Sequence, residues 1–117
     1  MDTQIELKMS DIREKPGAKL VKFIGDLDAT NVETILEQIT NLINDGIVLI
    51  VADFEKLRYV NSTGLGILLH LSKTAKEKSG CFKIVNINEN VYEIIEIIGA
   101  TTLLDIYESM EEAITSL

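Results

Sequence analysis

Two adjacent hydroxyl side chains, Ser62 and Thr63, are the residues of this chain best placed to do chemistry. They stand in the segment Tyr59-Val60-Asn61-Ser62-Thr63-Gly64-Leu65-Gly66-Ile67, where an apolar strand ends in a short loop that opens a helix. Gly64 and Gly66 keep side-chain bulk away from the first helical turn, so that a partner or a phosphate can approach its N–H groups closely. A modifiable hydroxyl at such a place has the form of a switch, because a phosphate would add ~1.5–2 negative charges at the positive end of a helix dipole. The simpler reading of Ser62 is a helix N-cap whose oxygen accepts a first-turn N–H and contributes ~1 kcal/mol. The two roles are compatible. Thr63 is the second candidate for modification, with a structural role as its simpler reading.

Around these hydroxyls the chain resembles STAS domains of the anti-sigma factor antagonist family. In that family an Asp-Ser-Ser/Thr-Gly-Leu-Gly motif follows the third strand and opens the second helix, and its first hydroxyl is the one phosphorylated. The matching residue here is Ser62. A second family element, Gly-Glu-Leu-Asp before the first helix, is matched by Gly25-Asp26-Leu27-Asp28, and the order of apolar segments agrees from about residue 4 to about residue 115. One position departs: Asn61 stands where the family has Asp. An amide also caps helices and tolerates turns, but it lacks the charge that a kinase or phosphatase could read.

The resemblance implies a single domain over residues 1–117 with an α/β STAS fold, and a non-enzymatic role in a bacterial partner-switching pathway. Unmodified protein would bind an anti-sigma factor with serine kinase activity and so release a sigma factor. Phosphorylation at Ser62 would dissociate the complex, and a serine phosphatase would reset it. No cofactor belongs to the chain itself, since ATP and Mg²⁺ would sit in the kinase. The residues so implied at the partner face are Asp28, Asn61, Ser62, Thr63, Gly64, Leu65 and Gly66. Asp28 reads equally well as a turn residue capping the first helix. The alternative function is a STAS scaffold subunit of a transporter or signalling complex that is not phosphorylated.

Other chemistry is sparse. His70 lies inside the second helix with no Cys, Asp or second His close by in sequence, which suits a surface position better than a metal ligand. The lone Cys81 excludes an internal disulfide and reads as a buried strand residue. A nucleotide-binding enzyme would need a P-loop Lys or a Gly-rich dinucleotide fingerprint beyond Ser-Thr-Gly-Leu-Gly. The net charge of −8 opposes binding to nucleic acid or an anionic membrane and favours a protein partner with a basic face. With neither a signal peptide nor an apolar run of ~20 residues, no membrane insertion and a cytoplasmic location are expected.

The elements that must position these residues follow from periodicity. Thr3–Ser10 alternates like a half-buried edge strand, Lys15-Pro16-Gly17 marks a turn, and Ala18–Ile24 resumes an extended pattern, which predicts an antiparallel hairpin. Val32, Ile35, Leu36, Ile39, Leu42 and Ile43 form one helical stripe stopped at Gly46, with Thr30 or Asn31 as cap. The run Ile47–Ala52 is apolar on both faces, as a central strand must be, and Asp53–Ser62 is read as the loop after it. A helix over 62–78, a strand over 82–87, a helix over 88–98, a short strand over 103–107 and a terminal helix from Ser109 complete the order ββαβαβαβα. The result is a mixed central β-sheet with helices packed over it, whose loops after the second and third strands form one surface. On the second helix, Leu65, Leu68, Leu69 and Leu71 with Ile67 make a broad apolar surface whose default reading is core. Leu65 or Ile67, if exposed beside Ser62, would suit a partner interface.

Overall fold

In the computed structural model, residues 5–117 are described, and the start of the first predicted strand, Thr3 and Gln4, lies outside them. The elements run β1 (Ile5–Asp11), β2 (Lys19–Leu27), α1 (Val32–Asn44), β3 (Leu49–Val60), α2 (Ser62–Glu77), β4 (Cys81–Val85), α3 (Glu89–Ile98), β5 (Asp105–Ile106) and α4 (Met110–Thr115). This is the predicted order. The strands form one mixed sheet ordered β1-β2-β3-β4-β5, with β1 antiparallel to β2 and the remaining neighbours parallel. The hairpin turns at Gly17, whose φ of 92° suits a residue without a Cβ.

Helices α1, α2 and α3 cover one face of the sheet. Ile35, Ile39 and Ile43 from α1, Leu65, Leu68 and Leu71 from α2, and Val91 and Ile95 from α3 meet Phe23, Ile50, Ala52 and Phe54 in one continuous core. The rings of Phe23 and Phe54 pack edge to face with centroids 5.0 Å apart. On the other face α4 covers a smaller cluster built on Ala18, Val51, Val85 and Ala113. That explains why the middle of β3 is apolar on both sides: Ile50 and Ala52 face one layer while Val51 faces the other.

The stretch after Ala52 corrects the predicted loop: β3 continues to Val60 and stays paired with β2. It was unrecognisable as a strand because its buried residues fall at Phe54, Leu57 and Val60, every third position instead of every second. Two register shifts cause this spacing. Lys22 to Ile24 in β2 spans Asp53 to Lys56 in β3, and Gly25 to Asp26 spans Leu57 to Tyr59, so β3 carries an extra residue at each place. β2 likewise runs three residues past the predicted end, to Leu27.

Candidate functional site

The long β2–β3 pairing brings the two motif segments together. Leu27 is the register partner of Val60, and the N–H of Asn61 donates to the carbonyl of Leu27 at 3.2 Å. The loop that leaves β2 therefore lies against the start of α2.

Asn61 is the N-cap of α2. Its backbone is extended, with φ −93° and ψ 179°, and its Oδ1 accepts the N–H of Gly64 at 2.8 Å. This corrects the reading of Ser62 as the cap. Ser62 is the first residue of the helix and is exposed, and its hydroxyl makes no hydrogen bond among the described residues. Thr63 is exposed beside it. The capping contact uses a side-chain oxygen that Asn and Asp share, so an amide at position 61 preserves the geometry while leaving the loop without a carboxylate.

Gly64 and Leu65 are buried, which corrects their placement at a partner-facing surface. A Cβ on Gly64 would stand 2.8 Å from the carbonyl oxygen of Leu27 and 3.0 Å from side-chain atoms of Leu27 and Val60. Gly64 thus lets α2 close onto the ends of β2 and β3. Leu65 is 1% exposed within the main core, and Ile67 packs half-buried against it. The default core reading of this apolar surface therefore holds, and no exposed patch forms there. Gly66 differs: it is exposed, and a Cβ there would meet nothing within 4 Å.

Asp28 shapes its own loop. Its Oδ1 accepts the N–H of Thr30 at 2.9 Å and the Thr30 hydroxyl at 2.7 Å, a local turn of the kind Asp side chains favour. Asn31 sits at the N-cap position of α1 but makes no capping hydrogen bond with its side chain. It faces back, accepting the N–H of Asp28 at 3.1 Å and donating to the carbonyl of Asp26 at 2.8 Å. The amide thereby ties the end of β2 to the start of α1.

Two further residues reach this surface with no sequence motif to mark them. The bulged end of β3 presents Arg58 and Tyr59, with Tyr59 46% exposed and the Nε of Arg58 3.3 Å from Oδ1 of Asp26. The third-residue spacing of Phe54, Leu57 and Val60 was the available signal, since it leaves 58 and 59 outward together. Asp53 does not end β3 but sits buried within it, accepting the N–H of Glu55 at 3.0 Å and the side-chain amide of Asn86 at 3.2 Å. His70 is exposed on α2, and among the described residues no group of three or more His, Cys, Asp or Glu is placed to hold a metal. Cys81 is half-buried at the start of β4, and burial pushes its thiol up from the ordinary 9.0, so the sulfur is protonated at neutral pH.

The chain belongs to the STAS domain family, which it matches over residues 9–113. It is similar to the anti-sigma-B factor antagonist of Bacillus subtilis, with 25% identity over 101 residues covering 86% of this chain and 92% of that protein. An anti-sigma factor antagonist from Mycobacterium paratuberculosis shares the fold at a TM-score of 0.81 and 20% identity, covering 97% of this chain and 93% of the other. The Bacillus cell fate determinant SpoIIAA in its phosphorylated form superposes with a TM-score of 0.69 at 21% identity, covering 95% and 98%. Among the described residues no helix is long and apolar enough to cross a membrane.

Proposed function

We propose that this chain is an anti-sigma factor antagonist that switches partners through phosphorylation of Ser62. In this reading the unmodified protein binds an anti-sigma factor with serine kinase activity, the kinase transfers phosphate from its own ATP and Mg²⁺ to Ser62, and a serine phosphatase restores the binding form. The chain contributes a surface and an acceptor hydroxyl and catalyses nothing itself. The observation that carries the reading is the division of labour at α2: Asn61 caps the helix, which leaves the exposed Ser62 hydroxyl without an internal task. A phosphate there would lie at the positive end of the helix beside its unpaired N–H groups, a favourable location that spares the fold. The partner face would comprise Ser62, Thr63 and Gly66 together with Arg58, Tyr59 and the Asp28 loop. Gly64 and Leu65 would act only by seating α2.

The test uses Ser62→Glu, Ser62→Ala and wild type with the anti-sigma factor kinases of the same cell. Ser62→Glu should melt within a few degrees of wild type yet bind ~5- to 150-fold more weakly, because the new charge must be desolvated in the complex at ~1–3 kcal/mol. Ser62→Ala should bind like wild type and accept no phosphate, and mass spectrometry of wild type should place the added phosphate on Ser62. Equal affinity of all three proteins, with phosphate found on none, would favour the scaffold role.

A further inference from the structure

We infer that the outer edge of the sheet pairs with a second copy of this chain, β1 against β1, about a twofold axis through Leu7. Among the described residues no strand lies on the outer side of β1, so its outward N–H and C=O groups have no sheet partner. Ile5 and Leu7 point to the helix-bearing face and are only partly covered by the core, and Met9, two residues on, is 39% exposed. Glu6 and Lys8 alternate with them on the opposite face, both exposed and 3.7 Å apart within the chain. The edge therefore offers half-covered apolar groups on one side and two opposite charges on the other.

Charge and face together select one register. In an antiparallel ladder, residues directly opposite share a face, so keeping both copies' helices on one side of a continuous sheet requires the axis to pass through a residue. An axis at Glu6 sets Glu6 against Glu6, and an axis at Lys8 sets Lys8 against Lys8, both unfavourable for charges directly opposite. The axis at Leu7 sets Glu6 of each copy against Lys8 of the other, Ile5 against Met9, and Leu7 against itself. This interface is self-complementary, as a twofold contact must be. It is also small, which places it among weak associations, dimeric at ~0.1–1 mM protein.

Sedimentation equilibrium at ~0.15 M salt, where the repulsion between two chains of net charge −8 is largely screened, tests the contact. Wild type should show a monomer–dimer equilibrium. Lys8→Glu and Glu6→Lys alone should each raise the dissociation constant at least about tenfold, because two facing pairs turn from opposite to like charge. An equimolar mixture of the two single variants, and the double variant Glu6→Lys/Lys8→Glu alone, should both recover dimer. Lys8→Glu also removes the like charge that faces Lys22 across the β1–β2 ladder, so the monomer should remain folded by circular dichroism. Wild type that stays monomeric at ~1 mM, or a dimer indifferent to these variants, would overturn the inference.

Discussion

At the level of single residues, the start of α2 separates what the fold needs from what a partner needs. Asn61→Asp should leave the melting temperature unchanged, since the capping oxygen remains, whereas Asn61→Ala should cost ~1 kcal/mol in chemical denaturation. If the kinase phosphorylates wild type well and Asn61→Asp poorly, the amide is an adaptation to its own partner. The two glycines should behave oppositely. Gly64→Ala drives a methyl into the carbonyl of Leu27 and should destabilise by ~1–3 kcal/mol. Gly66→Ala meets no atom within 4 Å and replaces a poor helix former, so it should stabilise the fold by ~0.5–1 kcal/mol while weakening partner binding. Calorimetric melting paired with titration against the proposed anti-sigma factor partner measures both effects, and undiminished binding by Gly66→Ala would show that no partner packs on that turn.

Among the elements, those with regular periodicity were legible and the irregular one was not. The stripe at Val32, Ile35, Ile39 and Ile43 and the two-sided apolar run of β3 each have one physical explanation; the helix stands where the pattern put it, and the strand begins two residues later than predicted, at Leu49. The bulges of β3 are tertiary features: they arise from its pairing with β2, and no local preference of residues 53–60 announces them. The cap was misassigned by one residue for a similar reason, because Asn61 and Ser62 are both strong N-caps and only the path of β3 decides which precedes the first turn. A comparable long-range contact fixes α4, a helix too short to persist alone. Lys83 on β4 is 5% exposed, with Nζ 3.3 Å from the carbonyl of Ala113, 2.5 Å from Oγ of Ser116 and 4.9 Å from the ring centre of Tyr107. The ammonium meets one carbonyl and one hydroxyl oxygen at the end of α4, where a cation is favoured. Lys83→Ala should lose these contacts and leave a cavity, costing ~2–4 kcal/mol and exposing α4 amides to hydrogen exchange. Lys83→Met, which keeps the volume without the charge, should cost less than half as much. Equal losses in the two variants would show that the contacts of the ammonium, and not packing of the aliphatic stem, hold α4.

For the molecule as a whole, the governing features are one mixed sheet covered by helices and a net charge of −8. In the proposed switch, phosphate on the already exposed Ser62 takes the charge to about −10 and acts through the surface, with no need of a second conformation. A charge of this size also acts at a distance, steering a partner with a basic face toward the molecule before contact is made. Raising ionic strength from ~0.05 to ~0.5 M shortens the screening length from about 14 Å to about 4 Å, so the association rate should fall severalfold while dissociation changes little. Stopped-flow binding of wild type to the proposed anti-sigma factor partner measures both rates. Arg58 is ion-paired with Asp26 at the edge of the proposed partner face, so Asp26→Asn should lower the association rate and leave its salt dependence shallower than that of wild type. An association rate that ignores salt would mean that recognition begins at the uncharged helix start, and that the acidic surface serves solubility alone.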